Sequence, residues 1–279
     1  MGIFISNLLT TGKRVLDPTS IRGCSLWLDA NTGLFDATSG GSAVTVNGNA
    51  IARWEDQSGN NRHLTQLTTV LRPTLTTGAI NSLNSVSFLS QYLRGGNICA
   101  LDNKNLYIAF VCKFNSSATN GFETVISRDG GYSVPTPGYY TIRRWDMQSI
   151  DPSDQPGKFM MRVNSGVEVD VGLGNYTTTG YNYCLFSYPR NFIRAYNTEL
   201  TINDIFRASS TVSPDSSNLN TIHNFALGAA IAPNSLTYNI SNGTYFNGEI
   251  CELVIFQRED NLTSRDITGL SRYFRNKWS

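Results

Sequence analysis

Short runs in which apolar and polar positions alternate with a period of two dominate this chain, and they predict strands joined by turns. In 24–30, Cys24, Leu26 and Leu28 alternate with Ser25, Trp27 and Asp29. In 105–114, Leu106, Ile108, Phe110, Cys112 and Phe114 share one face, while Tyr107, Ala109 and Val111 take the other. A run apolar on both faces fits a central strand covered on each side. Further strands are predicted at 122–127, 138–145, 158–163, 167–171, 181–187, 190–196, 222–229 and 249–257. Pro135-Thr136-Pro137-Gly138 and the segment from Pro152 to Gly157 punctuate them. A helical period occurs near the end, where Ile267, Leu270, Phe274 and Trp278 recur at spacings of three and four. Thr263 or Ser264 is placed to N-cap that helix, with Asp266 near the positive end of its dipole. Its apolar stripe is expected to lie on a sandwich and cover a sheet edge or an open end.

Composition narrows the class. The 279 residues fit one large β domain, since such units run to roughly 200–250 residues. Residues 21–279 read as that domain and 1–20 as an N-terminal arm able to attach it to a partner. Hydrophobic residues make up 40%, charged residues 15%, and the net charge is +1 without a basic run or an acidic tail. That balance gives no electrostatic reason to expect nucleic acid or an anionic membrane as partner. No apolar run approaches the ~20 residues of a membrane span. The mildly apolar start, Met1 to Leu9, is not preceded by a positive charge or followed by a small-residue cleavage site, so classical export is not expected. Five cysteines, none in C-x-x-C spacing, leave at least one unpaired. They read as buried thiols acting as small hydrophobes in a chain made in a reducing compartment.

Two stretches carry a family likeness. Leu26-Trp27-Leu28-Asp29-Ala30 is followed by Trp54-Glu55-Asp56-Gln57-Ser58-Gly59-Asn60-Asn61, by Arg72-Pro73, and by Val86-Ser87-Phe88. Near the end comes Phe246-Asn247-Gly248-Glu249-Ile250-Cys251-Glu252-Leu253-Val254-Ile255-Phe256. This resembles concanavalin A-like, laminin-G-like domains, with their W-x-D-x-S-G-N stretch and closing G-x-I-x-E strand. The resemblance implies an all-β jelly-roll sandwich of two antiparallel sheets with a short C-terminal helix. It leaves function open, because the fold hosts lectins, glycosidases, adhesion modules and virion proteins alike.

The residues themselves offer little catalysis. Asp56 to Asn61 reads as a tight turn, with Asp56 accepting backbone hydrogen bonds, Gly59 supplying a positive φ and Trp54 as buried anchor. Calcium is the weaker reading there, with Asp29 and Asp56 as its ligands. Glu168-Val169-Asp170 begins the E-x-D-x-x-E pattern of jelly-roll glycosidases, but Val171-Gly172-Leu173 supplies no third carboxylate. His63 and His223 carry no recognisable partner pattern, and no G-x-S-x-G or phosphate-cradling glycine motif occurs. N-x-S/T sequons at Asn115, Asn175, Asn239, Asn242 and Asn261 fit chance in a chain rich in Asn, Ser and Thr.

Aromatics remain the best signal. Tyr132, Tyr139, Tyr140, Trp145, Tyr176, Tyr181 and Tyr183 cluster in the middle of the chain, with Arg144, Asp146 and Asn175 among them. Sugar sites stack a ring on the apolar side of the pyranose and bind its hydroxyls with polar side chains. Interfaces favour the same residues. Tyr132, Tyr140, Trp145, Asp146, Asn175 and Tyr176 are the candidate glycan or partner contacts. The expectation is a non-enzymatic virion structural protein, exposed on a phage particle as head decoration or as a tail or fibre component. Its expected partners are capsid or tail proteins, further copies of itself and cell-surface glycan, with no obligatory cofactor. The alternative is a non-virion lectin or adhesin; a jelly-roll glycosidase ranks third.

Overall fold

The computed structural model describes residues 17–100, 104–115, 122–128, 140–145, 158–163, 167–171, 180–188, 196–203, 205–212, 224–231 and 240–279. The first strands are β1 (Cys24–Asp29), β2 (Leu34–Phe35), β3 (Arg53–Trp54), β4 (Leu64–Thr65), β5 (Thr74–Ile80), β6 (Leu83–Leu89), β7 (Leu93–Gly95), β8 (Asn105–Phe114), β9 (Phe122–Arg128) and β10 (Tyr140–Trp145). There follow β11 (Lys158–Val163), β12 (Val167–Val171), β13 (Tyr181–Tyr188), β14 (Tyr196–Ile202), β15 (Ile205–Val212), β16 (Phe225–Leu227), β17 (Ala229–Ile231), β18 (Ile240–Tyr245) and β19 (Asn247–Arg258). One helix, α1 (Ser264–Trp278), ends the described chain.

Among the described residues the strands form two sheets, antiparallel but for one parallel bridge between β18 and β9. One runs β15-β14-β13-β8-β19-β6-β5, with β1 also on β19; the other runs β12-β11-β10-β9-β16-β7-β4-β3-β2, with β17 and β18 attached. This is the expected jelly-roll sandwich. Its inner faces meet in one apolar cluster that includes Leu26, Leu28, Trp54, Val86, Phe88, Ile108, Phe110, Phe114, Ile142, Phe186, Phe225 and Ile255. The pleat of β8 falls as its alternation predicts, with Ile108, Phe110 and Cys112 inward and Tyr107, Ala109 and Val111 on the outer face.

That outer face explains the helix. Leu270, Tyr273, Phe274 and Trp278 pack on Tyr107, Ala109, Val111, Val254 and Phe256 in a second apolar cluster. The helix therefore covers the face of the β8/β19 sheet, not an edge or an open end as its stripe alone suggested. The reason lies in β8 and β19, whose outward positions are too apolar to leave wet. Thr263 is the N-cap: its hydroxyl accepts from the Asp266 amide at 3.1 Å, and the Asp266 carboxylate accepts from the Thr263 amide at 3.0 Å.

Two of this sheet's bulges lie in the strands under the helix. One lies between Cys24 and Leu26 on β1, and it turns Cys24 to the helix side instead of the inner face its spacing implied. The other, at Cys251 on β19, lets Cys251 and Glu252 both face the helix. Glu252 is fully buried. Its Oε1 accepts from Trp27 Nε1 and from the Tyr273 hydroxyl, each at 2.6 Å. Its Oε2 accepts from Trp278 Nε1 at 2.6 Å and Lys277 Nζ at 2.9 Å. Lys277 also reaches Asp29 Oδ2 at 2.6 Å, tying β1, β19 and α1 together. Burial pushes the Glu252 carboxyl above its ordinary range, with Lys277 pulling the other way and Asp29 adding to the rise. Gly248 sits earlier on the same strand, where a Cβ would overlap the Lys113 carbonyl and the Phe246 ring.

Other expectations meet the structure unevenly. Of the arm 1–20, residues 17–20 form a turn capped by Asp17, and 1–16 lie outside the described residues. The strand expected at 190–196 contributes only Tyr196, the start of β14, since 190–195 also lie outside them. The run 222–229 is broken at Gly228, whose φ is 91°. All five cysteines are free; Cys24 is half-buried and the others are buried. Burial pushes the Cys24 thiol up to about 12 and the Cys99 thiol up to about 11, which keeps both protonated and unreactive.

Removing the Glu252 acceptor strands the buried Tyr273 hydroxyl and Trp278 indole N–H and takes a partner from half-buried Trp27, while Lys277 keeps Asp29. Glu252→Ala is expected to cost about 3–5 kcal/mol of unfolding free energy in urea titration. A loss below about 1 kcal/mol, the scale of one ordinary hydrogen bond, would contradict this role.

Candidate functional site

The sequence-chosen residues separate. Tyr140 is fully buried on β10, its hydroxyl donating to the Cys99 carbonyl at 3.3 Å, so its ring is core and presents no face to a ligand. Trp145 ends β10, with its backbone opposite Phe122 and Lys158. Tyr132, Asp146, Asn175 and Tyr176 lie outside the described residues. Glu168 and Asp170 fall on β12, in register with Arg162 and Met160.

The two calcium candidates are engaged with protein donors. Asp56 Oδ1 accepts from the amides of Trp27 at 2.9 Å and Ser58 at 2.8 Å, and Oδ2 accepts from the Arg62 amide at 3.0 Å. With Gly59 at φ 86° and His63 Nδ1 accepting from the Asp56 amide at 3.0 Å, this is the expected turn. Trp54, fully buried, anchors it by donating to the Asp29 carbonyl at 3.1 Å. Asp29 Oδ1 accepts from the Asn31 amide at 3.0 Å, and Oδ2 holds Lys277. Among the described residues no group of three His, Cys, Asp or Glu side chains is arranged to hold a metal. The Asn115 and Asn261 sequons also serve the fold: Asn115 Nδ2 donates to Asn247 Oδ1 at 3.0 Å, and Asn261 Oδ1 accepts from Tyr107 at 3.1 Å.

A different cluster has the features of a binding surface. The helix covers only part of the outer sheet face. Phe274 stacks on Tyr183 with ring centroids 4.7 Å apart. Tyr181, two residues earlier and therefore on the same face, lies at the strand start beyond that stack. Cross-strand pairing sets Tyr181 opposite Lys113, and Lys113 opposite Glu249. The Tyr181 hydroxyl and the Ser85 hydroxyl each donate to Glu249 Oε2 at 2.5 Å. Lys113 Nζ donates to Glu249 Oε1 at 3.2 Å and stands 5.6 Å from the Tyr181 ring centroid. The Lys113 side chain is 31% exposed and Glu249 12%, so water reaches the pair.

The strand ends around it complete one end of the sandwich. Arg144 lies 2.6 Å from Glu123, both side chains almost fully buried, with its guanidinium 4.6 Å from the Phe114 ring centroid. Arg144 Nη2 also donates to the Asn115 carbonyl at 3.3 Å. Leu89, in register with Asn247, is exposed beside them. Trp145, Val171 and Gly180, described residues that flank the segments containing Asp146, Asn175 and Tyr176, lie at this end. Arg128 and Tyr140, the described residues on either side of the segment containing Tyr132, lie at the opposite end.

Sequence reasoning singled out Tyr181 and Arg144 as members of the aromatic cluster but passed over Lys113, Glu249 and Ser85. A signal was present. Lys113 is the lone charge in β8, and it continues the outward series Tyr107, Ala109, Val111. A lone charge on an otherwise apolar face marks the point where the face meets water or a ligand.

No family model matches the chain, and no curated protein matches it. Solved structures do. Domain 4 of an extracellular GH43 arabinanase from Geobacillus stearothermophilus, in complex with arabinotriose, is 18% identical with a TM-score of 0.50, covering 89% of this chain and 98% of that one. The receptor-binding domain of botulinum neurotoxin D is 12% identical with a TM-score of 0.55, covering 92% of this chain and 54% of that one. A Trypanosoma rangeli sialidase in complex with 2,3-difluorosialic acid is 10% identical with a TM-score of 0.50, covering 90% of this chain and 33% of that one. The chain thus spans about half of the toxin structure and a third of the sialidase. These likenesses establish the concanavalin-type sandwich fold.

Burial pushes the Glu249 carboxyl up, but the Ser85 and Tyr181 hydroxyls and Lys113 outweigh it, and the net direction is down. A carboxyl depressed in the folded state contributes stability above its unfolded value of about 4.3 and loses it as pH falls through the folded value. Comparing unfolding of the parent and Glu249→Gln from pH 7 to pH 3 is expected to show a steeper acid loss in the parent. Parallel profiles would refute the assignment.

Proposed function

We propose that the chain is a non-enzymatic glycan-binding module whose site is the Tyr181–Glu249–Lys113 end of the sandwich. The observation that carries this reading is the half-buried Tyr181 ring, tethered by its hydroxyl to Glu249 and flanked by a water-accessible ion pair. A ring held by its polar tip presents an apolar face at small entropic cost, and polar groups beside it give orientation. The arabinanase domain that shares this fold was solved with arabinotriose, which supports the reading at the level of fold.

The state of the two β19 carboxylates supports binding without hydrolysis at this site. Glycosidic cleavage needs one carboxyl protonated as acid and a second as base or nucleophile. Glu249 is held ionised, and Glu252 is buried with both oxygens engaged. The reading further proposes that the module works on the outside of a phage particle, as head decoration or as a tail or fibre component. Free thiols in a recognition-type fold support that proposal, because a protein assembled in a reducing cytoplasm has no need to pair them.

Wild-type chain on a glycan array is expected to bind, with binding unchanged by EDTA. Tyr181→Ala should weaken it at least tenfold, about 1.4 kcal/mol, as truncation of an aromatic anchor does. Absence of binding at high glycan density would sink the glycan reading, and release of reducing sugar would overturn the non-enzymatic one. In density-gradient sedimentation of native source material the chain should travel with capsid or tail proteins in fixed stoichiometry. Its remaining soluble at the top would contradict the particle assignment.

A further inference from the structure

The charges at this end of the sandwich bear on which glycans it can take. Lys113 and Glu249 are joined at 3.2 Å, and Arg144 and Glu123 at 2.6 Å. The second pair is 4% and 5% exposed, so it faces protein and not solvent. Among the described side chains at this end, the charge that a ligand meets is therefore the Lys113–Glu249 pair, which sums to zero. We infer that this site selects neutral glycans over those carrying carboxylate or sulfate groups, with Tyr181 under the sugar ring and Lys113 and Glu249 on adjacent hydroxyls. The inference rests on the glycan-binding reading above.

Hydrogen-bonding capacity points the same way. A carboxylate offers about four lone-pair positions and an ammonium three protons. Glu249 accepts from Ser85, Tyr181 and Lys113, while Lys113 donates to Glu249. That leaves the pair able both to accept and to donate at neighbouring points. Adjacent sugar hydroxyls, one donating and one accepting, match it. An anionic sugar does not: its charge would approach an ionised Glu249, and Lys113 is already committed to that carboxylate. Like charges brought together in a partly dehydrated site oppose binding. Tyr181 cannot relieve the mismatch, because its hydroxyl proton is directed at Glu249 Oε2.

Calorimetric titration of the full chain separates the outcomes. The probes are neutral arabino-, gluco- and galacto-oligosaccharides on one side and oligogalacturonate and sialyllactose on the other, each at low and high sodium chloride. Neutral sugars are expected to bind at least about tenfold tighter than acidic ones, with affinity little changed by salt, since no net charge is screened. Glu249→Gln should shift the acidic-to-neutral ratio at least about tenfold toward the acidic sugars, with the gain lost at high salt. Lys113→Gln should move the ratio the opposite way, and it supplies the test if the first variant does not fold. A wild-type preference for acidic sugars that fades with salt would overturn the inference while leaving the glycan reading intact. An acidic-to-neutral ratio that neither variant moves would overturn it as well. Binding of neither class would remove the proposed function, and this inference with it.

Discussion

Glu252 is a carboxylate with no exposure to water, and four hydrogen bonds from Trp27, Tyr273, Lys277 and Trp278 hold it there. Taking such a charge out of water is costly unless every oxygen is met, and here donors from a strand and a helix meet them. The consequence is positional. The helix is fixed over β1, β19 and the middle of β8, and Lys277 reaches across to Asp29 on β1. An apolar stripe alone would let the helix slide along an apolar face. A directed network with one acceptor at its centre sets where it stops.

The candidate site follows from where the helix stops. Phe274 caps Tyr183, and the outer face beyond it passes to Lys113, Tyr181 and Glu249. Two residues along β13 separate Tyr183, stacked under the helix, from Tyr181, which is bound instead to Glu249; both rings are half-buried. The same strand, β19, supplies both carboxylates. The bulge at Cys251 brings Glu252 to the helix side together with Cys251, and Glu249 lies on the unbulged stretch before it. One carboxylate is enclosed and holds the fold; the other stays near water with its acceptor capacity only partly filled.

Much of the architecture was legible because period-two and helical patterns report local geometry directly. The two-faced apolar character of β8, an N-cap at Thr263 (one of the two candidates, with Ser264) with Asp266 in the first turn, and the Asp56 turn are all short-range features, and each appears as expected. Bulges were not legible. Nothing in the spacing of Cys24 or Cys251 announces an extra residue, because a bulge is set by the partner strand's register. Nor could the sequence show that the helix covers a face, since that depends on which apolar positions of β8 and β19 point outward together. The site was half visible for the same reason. Tyr181 and Arg144 stood out as members of an aromatic run, whereas Lys113 and Glu249 meet only through strand pairing 136 positions apart in sequence. Tyr140 belonged to the same run and is core, because run membership says nothing about which side of the pleat a residue takes.

The central claim is that glycan binds at the end of the sandwich the helix leaves open. Amide chemical-shift mapping of the chain titrated with a bound oligosaccharide tests it most directly. The account predicts saturable shifts centred on Lys113, Tyr181 and Glu249, with the amides of α1 unmoved. Shifts centred on the helix, or on the opposite end around Arg128 and Cys99, with the Tyr181 end silent, would contradict it.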